Sequence, residues 1–301
     1  MFLDDEIDFG QSTTIDWREL TADQLDIIDV QSVEDIKSCA QGGDAKAQHY
    51  LSVLYTQGTV LNQDFKLAYE WCAKSADQGN TSAMRSLAFL HKQGKGVDAC
   101  DKKCFEWCYK AADEGDAAAM NNVGLFFLAG EGTDQNLIEG VEWMKQAGQC
   151  GYAQAYCNLA RFYDSGEFLE QNVNLALQYH RLAAEMGNMQ SQYDLGVMLY
   201  EGEGLIQNFA QAIKYFELAA NQGHPDAYFN LGVIYAEGDG VQINLPRAYA
   251  YLRFADVLGA ADTHEALDEI SRELSAEDMI QANFYFEELG RSTEDEQDEW
   301  Y

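Results

Sequence analysis

Seven glycines, Gly43, Gly79, Gly115, Gly151, Gly187, Gly223 and Gly259, stand 36 residues apart, and a second set, Gly58, Gly94, Gly130, Gly166, Gly202 and Gly238, keeps the same interval. No insertion or deletion interrupts either series. A fixed period of this size marks a solenoid, in which each copy is one small unit that cannot bury its apolar face alone and must be covered by its neighbours. The period restricts the chain to a stacked architecture. It also directs the functional reading toward a surface that holds another macromolecule.

The punctuation within one period says which secondary structure is repeated. Gly79-Asn80, Gly115-Asp116 and Gly187-Asn188 pair a residue suited to the left-handed position past a helix end with one able to cap the next helix. After Gly223-His224 comes Pro225, which fits a first helical turn because the N–H it lacks would be unpaired there anyway. Halfway along the period lies a second cap column, Asp64, Asn136, Asn172, Asn208 and Asn244, with Cys100 as its one departure. Each unit therefore reads as helix A, a glycine-containing loop, helix B and a short turn.

Apolar spacing agrees. Helix A carries Ala47, Ala83, Ala119, Ala155, Ser191 and Ala227, each followed four residues later by Leu51, Leu87, Val123, Leu159, Leu195 or Leu231, an i, i+4 pair on one face. Helix B carries Trp71, Trp107, Trp143, Tyr179, Tyr215 and Tyr251, each followed four residues later by Ser75 or an alanine. Large beside small lets two helices approach closely, so this aromatic column is expected to be core packing and not a ligand box.

The order A-x-x-x-L-G-x-x-Y, then G-x-G, then A-x-x-W/Y-x-x-x-A-A-x-x-G resembles the Sel1-like repeat family, relatives of the tetratricopeptide repeat. Ala227, Leu231, Gly232, Tyr235, Gly238, Gly240, Ala248, Tyr251 and Ala255 carry the pattern in the sixth copy. Val60 and Phe168 depart from it at the second loop glycine, and His91 and Leu199 depart at an aromatic position. The resemblance implies an all-α, right-handed α/α superhelical solenoid, with a concave groove for protein contact and no catalysis of its own.

The expected layout is one continuous domain. An acidic segment over 1–31 precedes a capping helix over 32–43 with Ser32 as its cap. Six repeats follow over 44–260 (44–79, 80–115, 116–151, 152–187, 188–223 and 224–260). Two closing helices lie within 261–290, and an acidic, unstructured tail covers 291–301.

Chemistry-bearing motifs are not found in the sequence. There is no G-x-x-x-x-G-K and no H-E-x-x-H, and the five histidines share no repeat column with an Asp or Ser partner. Neither a catalytic residue nor a cofactor is expected. Cys100, Cys104 and Cys108 follow one side of a helix, but no C-x-x-C or nearby histidine completes a tetrahedral site, so no metal is expected either. The odd set of seven cysteines fits a reducing compartment. The acidic opening MFLDDEIDFG and the lack of a membrane-length apolar run add to an expectation of cytoplasmic residence without membrane contact.

Charge is the second constraint. Against 51 acidic residues stand 19 basic ones, a formal net charge of −32. The excess is densest at the ends, −8 over 1–30 and −12 over 261–301. Nucleic acid is excluded as a partner, because a phosphate backbone needs Lys and Arg to displace its counterions. Glu131, Glu167, Glu203 and Asp239 repeat in the inter-helix loop, joined by Glu201 and Glu237 two residues earlier; such a ladder would steer a basic partner. On helix A, Asn122, Asn158, Asp194 and Asn230 form a polar column that either grips a ligand backbone or braces a neighbouring helix. Tyr156, Tyr193, Tyr228 and Phe229 are candidate aromatic anchors. The expected function is a non-enzymatic scaffold that binds and neutralises a basic protein in the manner of an immunity protein. A signalling adaptor and an acidic mimic of DNA are the alternatives; oligomeric state is not encoded in these features.

Overall fold

The structure is a computed structural model that describes residues 30–202 and 206–298. Among the described residues there are fifteen α-helices and no strand. A single helix α1 (Val30–Gln41) precedes six helix pairs. These are α2 (Ala45–Gln57) with α3 (Phe65–Ala76), α4 (Thr81–Gln93) with α5 (Asp101–Asp113), and α6 (Ala117–Ala129) with α7 (Leu137–Gln149). Then come α8 (Ala153–Ser165) with α9 (Val173–Glu185), α10 (Met189–Glu201) with α11 (Phe209–Asn221), and α12 (Pro225–Glu237) with α13 (Leu245–Val257). Helices α14 (Thr263–Glu273) and α15 (Ala276–Asp298) close the chain.

Contacts group these helices into two compact units, residues 1–152 and 153–301, where one continuous domain was expected. In a solenoid each repeat touches only its neighbours, so any repeat boundary is a natural division. In the first unit α1 to α7 pack in chain order, each on the next. In the second, α8 to α14 do the same, and α15 packs on α13.

The cap columns perform as the sequence implies. Asp64, Asn136, Asn172, Asn208 and Asn244 accept a backbone N–H from the first turn of helix B, and Cys100 makes no side-chain cap. A second bond survives even at Cys100: each residue of this column donates its own N–H to the carbonyl nine residues earlier, at 2.7–3.0 Å. This bond ties the loop to the end of helix A. At the other helix end Gly130, at φ 72°, shows why the second glycine series is needed: its N–H closes the last turn on Phe126 O in a left-handed conformation that costs other residues more.

Packing confirms the helix A columns and corrects the helix B one. Leu51, Leu87, Val123, Leu159, Leu195 and Leu231 are all 2% exposed or less. The expected aromatic core column is only partly buried: Tyr179 and Tyr251 are inside, whereas Trp71, Trp107, Trp143 and Tyr215 are half-buried at the flank of the helix. Lys74 and Lys110 lie 3.9 Å from the ring centroids of Trp71 and Trp107. The helix B core position is the next residue, Cys72, Cys108, Met144, His180, Phe216 and Leu252, at 0–3% exposure.

The ends also differ from expectation. Helix α1 already includes Ser32, so that residue is not its cap. Ser275 does cap α15, its Oγ accepting from Asp278 N at 3.2 Å. That helix runs on to Asp298, past position 291 where the tail was expected to begin. Most of the acidic N-terminal segment lies outside the described residues.

Candidate functional site

The acidic loop column is in part a structural device. Lys92, in the last turn of α4, places Nζ 2.5 Å from Glu131 Oε2 and 3.2 Å from Asp101 Oδ1. In the second unit Tyr200 OH donates to Asp239 Oδ2 at 2.5 Å, and burial together with that bond pushes the phenol pKa up. Each donor stands 39 residues before its acceptor, at the end of helix A in the preceding repeat. Glu131 and Asp239 thus fasten successive repeats together. Glu167, Glu201 and Glu237 are exposed, and none forms an ion pair among the described residues. Glu203 lies outside the described residues.

The polar column on helix A is half-buried and engaged within the protein. Asn158 Oδ1 accepts from Gln154 Nε2 at 3.0 Å, and Asp194 Oδ1 from Gln190 Nε2 at 2.9 Å. Asn122 Oδ1 is 3.5 Å from Asn121 Nδ2. Asn230 shares a hydrogen bond with Tyr193, one repeat earlier. The same relation joins His49 Nε2 to Ser86 Oγ at 3.0 Å. These two bonds join consecutive A helices, which favours the bracing role for this column.

Two of the four aromatic anchors must be withdrawn. Tyr228 is 1% exposed and Tyr156 9%; Tyr156 stacks on Tyr179, and Tyr228 packs against Phe254 with centroids 4.8 Å apart. Their rings are core, because the neighbouring helix covers the face they share. Tyr193 and Phe229 are half-buried, and Tyr193 stacks on His224 at 4.3 Å.

A buried polar cluster arises where two columns depart from their usual residue. His180 takes the helix B core position, and Ser191 stands where most copies have alanine. His180 Nδ1 lies 3.4 Å from Ser191 Oγ and 3.7 Å from Asp194 Oδ2. Both partners address the same ring nitrogen, so the trio is not arranged as nucleophile, base and orienting acid. Burial, helped by Arg161, lowers the His180 pKa to about 4, and burial raises that of Asp194; both groups shift toward their neutral forms.

Cys104 and Cys108 hydrogen-bond to each other, which lowers the first thiol's pKa and raises the second's. None of the seven cysteines is in a disulfide. Among the described residues no group of three or more His, Cys, Asp or Glu is placed to hold a metal ion, and no described helix is long and apolar enough to cross a membrane.

Sequence reasoning missed a loop clamp. Gln63, Gln135, Gln171 and Gln207 occupy one column, and each donates Nε2 to the helix A carbonyl seven residues earlier, at 2.7–2.9 Å. Recurrence of glutamine at 36 or 72 residues was the available clue. In the same column Ile243 replaces glutamine and is 63% exposed; next to the column, Ile206 is 92% exposed.

A family model for the Sel1 repeat matches residues 45–80, 81–116, 117–152, 153–188, 190–224 and 225–255. The chain belongs to the Sel1 repeat family. Sel1 repeats mediate protein–protein interaction, and the chain is a Sel1-repeat interaction scaffold. Among solved structures, a Sel1 repeat protein from Oxalobacter formigenes is 25% identical, with a TM-score of 0.63 over 76% of this chain and 99% of its own. The protein c5321, described as a protective antigen of uropathogenic Escherichia coli with an SLR fold, is 21% identical, with a TM-score of 0.54 over 90% of this chain and 75% of its own. The immunity protein PA5088 from Pseudomonas aeruginosa is 22% identical, with a TM-score of 0.45 over 73% of this chain and 83% of its own. No curated protein matches the sequence. In this Sel1-repeat scaffold Glu131 and Asp239 hold successive repeats together, while Glu167, Glu201 and Glu237 face water.

Proposed function

We propose that this Sel1-repeat scaffold captures a basic protein through the acidic edge formed by its A–B loops, and that capture neutralises the partner. The observation that carries the reading is the net charge of −32 together with Glu167, Glu201 and Glu237, which are exposed and form no ion pair among the described residues. Carboxylates arrayed at fixed intervals raise the local negative potential and act chiefly on the association rate. A basic protein commonly engages polyanions through its basic face, so a surface covering that face blocks the partner's work as it binds. The seven cysteines, none of them in a disulfide, support a reading in which this activity belongs to a reducing compartment such as the cytoplasm.

The test starts from capture in native-host extract at low salt, followed by purification of the captured protein. Changing Glu167, Glu201 and Glu237 together to lysine should slow association by about tenfold or more at low salt and flatten its salt dependence. The partner's own activity should fall on binding to the wild-type scaffold. An acidic partner, or an association rate indifferent to the triple reversal, would end the electrostatic reading. A partner that binds and stays fully active would end the neutralising one.

A further inference from the structure

Two isoleucines face solvent on neighbouring loops of the second unit, and the repeat supplies an internal control for both. At the position of Ile206 the other five copies carry Asn62, Asp98, Asp134, Glu170 and Gln242, all polar. At the position of Ile243 four copies carry the clamping glutamine and one carries Ala99. Ile243 therefore forgoes a hydrogen bond that four other loops make. Ile206 is 92% exposed and Ile243 63%. A single exposed apolar side chain is ordinary; two large apolar side chains on successive loops, one in an otherwise polar column and one in a column of mostly clamping glutamines, are not accounted for by folding.

The loops lie side by side. Tyr200, six residues before Ile206, donates to Asp239, four residues before Ile243. A Cβ on Gly240 would stand 2.5 Å from Phe209 Cβ, so the sixth loop rests on the start of α11, three residues past Ile206. Exposed Glu201 and Glu237 close the two helices that lead into these loops. Each loop thus carries one exposed isoleucine and follows a helix that ends in an exposed carboxylate, the combination of apolar and charged groups that contacts between proteins use.

We propose that Ile206 and Ile243 are the apolar anchor of partner capture, and that the partner presents an apolar cleft rimmed by lysine and arginine. The inference rests on the basic-partner reading above and adds the location and chemistry of the contact. Charge sets the approach, and the isoleucines set how long the complex lasts. Burying an isoleucine fully changes affinity by about tenfold or more, appearing chiefly in the dissociation rate.

The test places a photo-crosslinking amino acid at 206 or 243, and at 62 or 171 as controls in the corresponding columns of other repeats, in full-length protein exposed to native-host extract. The expected result is one protein of isoelectric point above about 9, crosslinked from both 206 and 243. That protein, once purified, should leave the double variant Ile206→Glu, Ile243→Gln about tenfold faster or more, with the salt dependence of association unchanged. Both new residues already occupy these columns elsewhere in the chain, and an unchanged thermal midpoint or a higher one confirms folding. No common crosslinked protein, a second copy of this chain, or an unchanged dissociation rate would overturn the anchor. If a basic partner is captured and the glutamate reversals slow its association while the isoleucine changes do nothing, the anchor fails and the electrostatic reading stands.

Discussion

A β-carbon on Gly196 would stand 2.7 Å from Cε1 of Phe216, inside the van der Waals limit, so the size of one residue dictates that of the other. The relation repeats through the stack. Gly124 would meet Met144 Cγ at 2.4 Å, and Gly232 would meet Leu252 Cγ at 2.6 Å. Where Ser52, Ala88 or Ala160 takes the glycine's place, the residue twenty positions on is Cys72, Cys108 or His180. Helix A and helix B of each copy meet at this pair, and the bulk on one side is matched by space on the other.

Replacing Gly196 with alanine should therefore have opposite effects in two backgrounds. With Phe216 present, overpacking of about 1–3 kcal/mol outweighs the gain of about 1 kcal/mol in helix propensity, and the protein loses stability. With Phe216→Ala beside it, the clash is gone and Gly196→Ala should stabilise by about 1 kcal/mol. Urea unfolding of the four members of the cycle measures the coupling; equal effects in both backgrounds would show that the two side chains do not compete for space.

Acid should weaken the fold through its buried histidines. Burial lowers the pKa of His49 and His180 to about 4, with Arg85 and Arg161 adding to the shift, and burial also lowers those of His91 and His224. These folded-state values lie below the unfolded value of 6.5, so the unfolded chain takes up the protons first. The neutral histidines thus cost nothing above about pH 6.5, and stability is lost as pH falls from there toward 4. For His180 the full loss is about 3 kcal/mol. Thermal midpoints followed from pH 7 to 4.5 should fall, and His180→Cys with Ser191→Ala, which copies the pair Cys108 and Ala119 found at these positions two repeats earlier, should flatten the slope.

Which parts of this were legible in the sequence follows from the distance over which each residue acts. Caps such as Asn136 and Asn244 were readable because a cap bonds to its own first turn. The Trp71 column was misplaced by one residue, since a period of 36 cannot say which of two adjacent side chains turns inward; Cys72 does. Tyr228 and Tyr156 sit on helix A as expected, yet their burial depends on the neighbouring helix. The roles of Glu131 and Asp239 depend on donors 39 residues away, Lys92 and Tyr200, and no rule confined to one repeat reaches that far. The exposed carboxylates that form no ion pair among the described residues, Glu167, Glu201 and Glu237, remain those that charge alone pointed to.

The loop clamp predicts a stabilising change that needs no partner. Ile243→Gln should restore the bond to the carbonyl of Ala236, seven residues back, that Gln207 makes to Tyr200 O at 2.8 Å. A gain of about 0.5–1 kcal/mol is expected, read as a higher urea midpoint. Gln207→Ala should lose a similar amount. If both leave the midpoint unmoved, the clamp contributes nothing measurable.

The bond between Tyr200 and Asp239 should be worth more than an ordinary surface contact, because its acceptor is charged and its donor half-buried. Tyr200→Phe keeps the ring against Phe209 and removes only the hydroxyl. A loss of about 1–2 kcal/mol is expected. Hydrogen exchange should locate the loosening in the loop after α12. Protection lost evenly along the chain would mean that this bond does not fasten one repeat to the next.

The bracing role of the polar column separates stability from binding. Asn230→Ala removes the hydrogen bond to Tyr193 and leaves the stack of Tyr193 on His224, so the fold should lose about 1 kcal/mol. Affinity for the captured partner should stay within twofold of wild type, because the side chain is spent inside the protein. A ligand-gripping role would reverse the pattern: affinity would fall while the unfolding midpoint held. Measuring both on one variant decides between the two, since an amide cannot be fully used in both places at once.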